Sequence, residues 1–131
     1  MEIEKIFKNL ILVDFALLIL IVISSMYQST DIIEVNQNLE NGLFSEYEYF
    51  IRIISLILFF LYLLTLNLLY RFISYGKKLY LFLVIAGLTL NFLNGSVVYS
   101  SFGSILDQVG GIVTGAILIL LFYSPIKNNF K

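Results

Sequence analysis

Long apolar runs with basic residues gathered at their ends are the feature that most limits what this chain can become. Of its eight lysines and arginines, all but Arg52 lie in three short stretches, Lys5/Lys8, Arg71/Lys77/Lys78 and Lys127/Lys131, and the apolar runs lie between them. Lysine and arginine accumulate on the cytoplasmic side of membrane proteins, so the pattern predicts a multi-pass protein whose termini and middle loop face the cytoplasm. Composition agrees, because 60% hydrophobic and only 13% charged residues leave too few polar side chains to cover a soluble globule.

A chain of 131 residues has room for about four spans of roughly 20 residues each and one sizeable loop. The expectation is one integral membrane domain over 1–131, an all-α, antiparallel four-transmembrane-helix bundle with helices at about 7–26, 46–73, 79–99 and 105–124. The first run, Leu10 to Met26, follows Lys5 and Lys8 as a signal peptide would. Asp14 interrupts it, however, and Ser24-Ser25-Met26-Tyr27 is a poor cleavage site, so it reads as a span. Ser45-Glu46-Tyr47-Glu48 reads as a capping box for the second helix, with Gly76 as its left-handed terminus. A second capping box, Ser104-Ile105-Leu106-Asp107, opens the fourth helix, and Pro125 stops it.

Between spans 1 and 2 the segment from Tyr27 to Tyr49 carries Asp31, Glu34, Glu40, Glu46 and Glu48 and no basic residue, which places it on the outer side. Ile32, Val35 and Leu39 share one helical face between an Asp31 cap and a stop at Asn41-Gly42, so a short extracytoplasmic amphipathic helix is expected there. The segment is either a solvated acidic connector or a surface that recognises a ligand or protein outside the cell. Both readings fit the residues.

Polar residues inside the spans come next, since a charge at mid-membrane costs about 2.5–3.5 kcal/mol on insertion scales. Asp14 falls near the cytoplasmic start of span 1, Asn67 of span 2 is expected at a similar depth, and Arg71 is expected to reach back toward both. Asp14 reads either as a proton or cation site or as an anchor tying the first two helices together. Arg52 is the one basic residue on the outer side. Glu48 precedes it by one helical turn and Asp107 begins helix 4 at the same level, which gives either a structural charge group or a site for an anionic ligand or headgroup.

Gly87, Asn91 and Gly95 recur on one face of span 3, and Gly111 and Gly115 form a GxxxG pattern on span 4 beside Gly110 and Thr114. Small residues at this spacing let membrane helices approach closely. Spans 3 and 4 are therefore expected to pack through these faces, with Asn91 donating across them. The alternative is a homo-oligomer through Gly111/Gly115.

The chain has no cysteine and no histidine, which rules out disulfides, thiolate or imidazole metal sites and histidine-ligated haem. Every lysine lies at a span boundary, no catalytic constellation is visible, and neither a cofactor nor a metal is expected. A basic patch with interleaved aromatics is also lacking, which argues against nucleic acid.

The segment from Lys77-Lys78-Leu79-Tyr80 through Gly111-Ile112-Val113-Thr114-Gly115-Ala116-Ile117-Leu118 to Tyr123-Ser124-Pro125-Ile126-Lys127 resembles the second half of small four-helix bacterial inner-membrane proteins of unassigned function. In topology and in its Ile/Leu/Phe/Asn-rich style the whole chain is similar to the immunity proteins that protect cells from pore-forming colicins. That resemblance implies a non-catalytic protein that intercepts a toxin's hydrophobic helices in the bilayer. An acidic residue in the first of four helices also resembles the small multidrug transporters. Those have short connections, a deeper glutamate and tryptophan contacts, whereas this chain has no tryptophan.

These features combine into one expectation: a multi-pass protein of the cell inner membrane that acts by binding a membrane protein or toxin helix. The competing reading is a small ion-coupled transporter or carrier using Asp14.

Overall fold

A computed structural model describes residues 2–38, 48–93 and 98–131, and no strand occurs among them. Five α-helices follow in order: α1 (Glu2–Met26), α2 (Thr30–Asn38), α3 (Glu48–Tyr70), α4 (Ser74–Leu93) and α5 (Ser101–Tyr123), with a 3₁₀ turn at Pro125–Asn129. Three of them, α1, α3 and α5, are long and apolar enough to cross a membrane. Only 17% of the most apolar stretch of α1 and of α3, and 22% of that of α5, is buried, so most of their apolar surface faces outward. In water such exposure would be untenable. In lipid it is the ordinary condition of a membrane helix.

The helix limits differ from the apolar runs in an instructive way. α1 begins at Glu2 and not near residue 7, because Glu2 and Glu4 in its first turn complement the positive end of the helix dipole. α4 begins at Ser74 and carries Lys77 and Lys78 within it, so its apolar part starts only at Leu79. α5 begins at Ser101, earlier than the expected 105. Ser100, not Ser104, is its cap and accepts the Gly103 N–H at 3.0 Å. Its end is as expected, with Ser124 accepting from Ile126 N–H and Pro125 opening the terminal 3₁₀ turn.

The turn between α3 and α4 overturns the expected role for Gly76. The left-handed residue is Phe72, with φ 57°. Phe72 N–H bonds to Leu69 C=O and Ile73 N–H to Leu68 C=O, both at 3.0 Å, which is the Schellman arrangement with phenylalanine where glycine usually stands. Strain at such a position is of order 1–3 kcal/mol. Phe72 stacks on Phe7 at 5.8 Å and meets Phe130 edge-on at 5.3 Å, and contacts worth about 0.5–1.5 kcal/mol each offset much of that strain. Gly76 lies instead in the first turn of α4, where an added Cβ would come within 3.1 Å of Leu68 Cβ and 3.2 Å of Leu69 N.

The phenylalanine cluster draws both ends of the chain to this turn. Ser74 N–H bonds to Lys131 C=O at 2.8 Å and Lys131 N–H to Phe72 C=O at 3.0 Å. Lys8 lies over the Tyr70 and Phe72 rings, and Lys77 over Phe130. The core grows from here, with Phe7, Ile11, Leu66, Leu69, Tyr80, Val113, Ile117, Leu121 and Ile126 forming one buried cluster. Every one of these residues belongs to the half of its helix nearer the termini. Toward the far end, Leu106 is the only buried apolar residue among the described ones. Among the described residues, then, the close packing is concentrated at the terminal end of the bundle.

Extensive contacts join α1 to α5 and α3 to α4, with a smaller contact between α1 and α3. The expected close packing of spans 3 and 4 through glycine faces is not what forms. A Cβ at Gly87, Gly111 or Gly115 would meet nothing within 4 Å, so no neighbouring helix has come close to them. Register explains the difference, because the Phe7/Phe72/Phe130 contacts set α1 between its partners and α5 takes α1 as its main neighbour. Gly95 lies outside the described residues, as do Glu40 and Glu46 and the side chain of Glu48.

Candidate functional site

A cleft of about 570 Å³ opens among α1, α3, α4 and α5 above the closely packed end. Its walls are mainly apolar, with Leu17, Leu18, Leu58, Phe59, Val84 and Leu88 contributing. The cleft is where the four helices stop filling the space between them.

Asp14 stands at its deep end and is only 5% exposed. On the axis of α1 it lies six residues, roughly 9 Å, beyond Lys8. Its partner is neither Asn67 nor Arg71, as the spacing had led one to expect, but Tyr62, whose hydroxyl donates to Asp14 Oδ2 at 2.5 Å. The Phe7–Phe72 stack accounts for this, since pinning residue 7 beside residue 72 brings Tyr62, more than one turn past Asn67, level with Asp14. Asn67 and Arg71 are exposed, and Arg71 N–H bonds only locally, to Asn67 C=O at 3.1 Å.

The polar contact continues across the bundle. The Tyr80 hydroxyl of α4 lies 3.4 Å from that of Tyr62. The Tyr80 hydroxyl also stands beside the Asp14 carboxylate, so both tyrosines converge on one acidic group. Thr114 of α5 is beside the Tyr80 hydroxyl. One line of oxygens therefore touches all four long helices. No buried side-chain nitrogen or oxygen among the described residues lacks a partner, as the cost of an unmade bond in an apolar interior demands.

The other sequence candidates spread over the molecule. Asn91 and Asp107 border the cleft nearer its far end and are both exposed, with Asp107 in the second turn of α5 and not at its cap. Arg52 is exposed in the second turn of α3. Gly87, Gly110 and Gly111 line the cleft, whereas Gly115 does not.

Asp31 and Glu34 are exposed on α2, as are Ile33 and Val35. α2 is fastened by Asn36, whose Oδ1 accepts from Val98 N–H at 2.8 Å while its Nδ2 donates to Val98 C=O at 3.0 Å. A carboxamide used this way mimics a neighbouring strand and satisfies both backbone groups of one residue at once.

Sequence reasoning missed Tyr62, Tyr80 and Asn36. A signal existed for Tyr62: a hydroxyl in mid-span must find a partner within the bundle, so it should have been sought near Asp14, whereas Tyr80, two residues past Lys78, reads from the sequence as a boundary residue. Nothing in the sequence marks Asn36 as a long-range brace. Among the described residues no group of three or more acidic, histidine or cysteine side chains could hold a metal ion. Comparison of the chain with family models, with curated proteins and with solved structures finds no match.

Proposed function

We propose that the chain is a four-span protein of the cell inner membrane, with both termini and the α3–α4 turn cytoplasmic, that acts by binding a partner and not by catalysis. Its most concrete form is an immunity protein against a pore-forming toxin. Lys5, Lys8, Lys77, Lys78, Lys127 and Lys131 all gather at the closely packed end, which supports the orientation. For α4 to count as the fourth span, Lys77 and Lys78 must sit at the interface with their heads in water.

The observation that carries the binding role is α2. It is an ordered helix with acidic Asp31 and Glu34 and apolar Ile33 and Val35 all exposed, held at a fixed place by Asn36. A connector that served only to link two spans would need neither the helix nor the brace. The mixed acidic and apolar surface suits a partner helix that is itself basic and amphipathic.

The test is protection. Cells producing the chain, challenged with a panel of pore-forming toxins, are expected to survive one of them, and reversing charge with Asp31→Lys and Glu34→Lys is expected to abolish that survival without lowering the amount of protein in the membrane. Absence of protection sinks the immunity reading. Reporter fusions at Tyr75 and after Lys131 should read cytoplasmic and one at Gln37 external; an external result at Tyr75 overturns the orientation.

A carrier is the second reading, favoured by the placement of Asp14 in the cleft wall. Asp14→Asn would then abolish ion-coupled uptake while leaving any toxin protection intact.

A further inference from the structure

At the terminal end, one face of α1 combines two cations, an amide and an apolar residue. Lys5 is followed on that face by Lys8, Asn9 and Leu12, which come three, four and seven residues later. With Glu4 and with Tyr70 of α3 they line a hollow of about 300 Å³. Such a volume lies at the lower limit for small-molecule sites, so it suits a compact headgroup and not a large solute. Asp14 comes nine residues after Lys5, and at about 100° per residue it falls on the opposite side of α1, so the hollow and the cleft are separate.

Charge decides what the hollow can take. Two ammonium groups border it against one carboxylate, and that carboxylate has a partner: Glu4 Oε1 accepts from Asn129 Nδ2 at 3.1 Å. Lys8 differs from an ordinary surface lysine, since it is half-buried with its Nζ 5.2 Å from the ring centres of both Tyr70 and Phe72. Aromatic faces hold an ammonium in place without cancelling its charge. Asn9 adds an amide donor that is exposed. Ammonium and amide donors around a small hollow match the oxygens of a phosphate.

The rest of the face identifies the source of that phosphate. Leu12 is 53% exposed, and one and two turns further on Phe15 and Ile19 are each 42% exposed. With α1 crossing a bilayer, the lysines lie at its surface and these three residues in its hydrocarbon. A soluble anion would use only the first part of this surface. A phospholipid uses all of it.

We propose that the hollow binds an anionic phospholipid, with its phosphate between Lys5 and Lys8, Asn9 donating to it, and one acyl chain along Leu12, Phe15 and Ile19. Basic pockets beside membrane helices bind anionic headgroups by this division of labour. The site rests on the membrane part of the proposed function. It is independent of the side on which the lysines lie and of any partner at α2.

The experiment titrates the full chain in dodecyl maltoside with dioleoyl phosphatidylglycerol and, with the same chains, dioleoyl phosphatidylcholine, counting retained lipids by native mass spectrometry. One phosphatidylglycerol per chain is expected to bind about tenfold or more tightly than phosphatidylcholine. Lys5→Gln and Lys8→Gln should each weaken it by about fivefold, and Lys78→Gln, which removes the same charge from the same end but outside the hollow, by less than about twofold. Glycerol phosphate, a phosphate without chains, is not expected to displace the lipid. Lys8→Gln also loses its contacts with two rings, so if that variant fails to fold, Lys5→Gln carries the test. Equal binding of the two lipids overturns the proposal, as does a loss in Lys78→Gln equal to that in Lys5→Gln, which is the mark of diffuse attraction. Displacement by glycerol phosphate overturns it in favour of a soluble phosphate. A chain that stays dispersed without detergent sinks the membrane reading itself, an outcome seen before any lipid is added.

Discussion

Tyr62 and Asp14 lie 48 residues apart in sequence and share a hydrogen bond of 2.5 Å between α3 and α1. Interhelical bonds in membrane proteins contribute modestly, about 0.6 kcal/mol on average and up to about 2 in model peptides. Tyr62→Phe should therefore destabilise the bundle by about 0.6–2 kcal/mol, read as a lower unfolding temperature in detergent. Tyr80→Phe removes a hydroxyl that stands beside Asp14 and Thr114 but whose contact with Tyr62 is longer, at 3.4 Å, so it should cost less. The reverse order would mean that Tyr80, and not Tyr62, holds Asp14 in place.

At Phe72 the backbone and the side chain pull in opposite directions. Phe72→Ala keeps a residue that dislikes φ 57° and loses the rings of Phe7 and Phe130, whereas Phe72→Gly loses the rings but relaxes the backbone. Glycine should be the milder replacement by about 1 kcal/mol, judged by thermal unfolding of the two variants. Equal damage from both would place the cost wholly in the ring contacts.

Glycine substitutions should divide by position. Gly111→Ala and Gly115→Ala add a methyl group where nothing lies within 4 Å, so each should leave stability unchanged or raise it by about 0.5–1 kcal/mol. Gly76→Ala faces Leu68 Cβ at 3.1 Å and Leu69 N at 3.2 Å and should lower it. Cross-linking of Gly111→Ile against the unaltered chain in membranes tests the homo-oligomer reading of the GxxxG pattern: loss of a dimer in the variant would locate a second chain on this face.

How far the sequence was legible depended on whether a feature was local. The apolar runs marked α1, α3 and α5, and the spacing of Asp31 and Glu34 marked α2, although the helix starts at Thr30 and Asp31 lies in its first turn and is not its cap. Helix limits drifted by up to a turn or more wherever charged residues continued a helix past its apolar part, as Lys77 and Lys78 do in α4. The partner of Asp14 was missed because it depends on register. Three phenylalanines at 7, 72 and 130 set that register, and no local pattern announces that they meet. For the glycines the composition was read correctly and its consequence inverted, since an absent side chain permits either close approach or empty space. Which of the two results is decided by neighbours on other helices.

Asn36 offers a separable measurement. Replacing it with alanine removes both bonds to Val98 and should leave the spanning helices intact. Two neutral hydrogen bonds are worth about 1–3 kcal/mol together, so protease cleavage after Glu34 should accelerate by about tenfold or more in Asn36→Ala, with the unfolding temperature of the bundle unchanged. Unaltered cleavage would show that α2 is held by something other than this brace.

The closely packed end is assembled from the first helix, the middle turn and the last residues, through Phe7, Phe72 and Phe130 and the pair of backbone bonds between Lys131 and the Phe72–Ser74 turn. α3 and α4, joined by a short turn, can pair as soon as both have left the ribosome. α1 waits far longer for α5, its main neighbour, and the final seal waits for Phe130. During synthesis, then, α3 and α4 can settle against each other before α1 has its main neighbour, and Phe130 is the last of the three rings to reach the cluster.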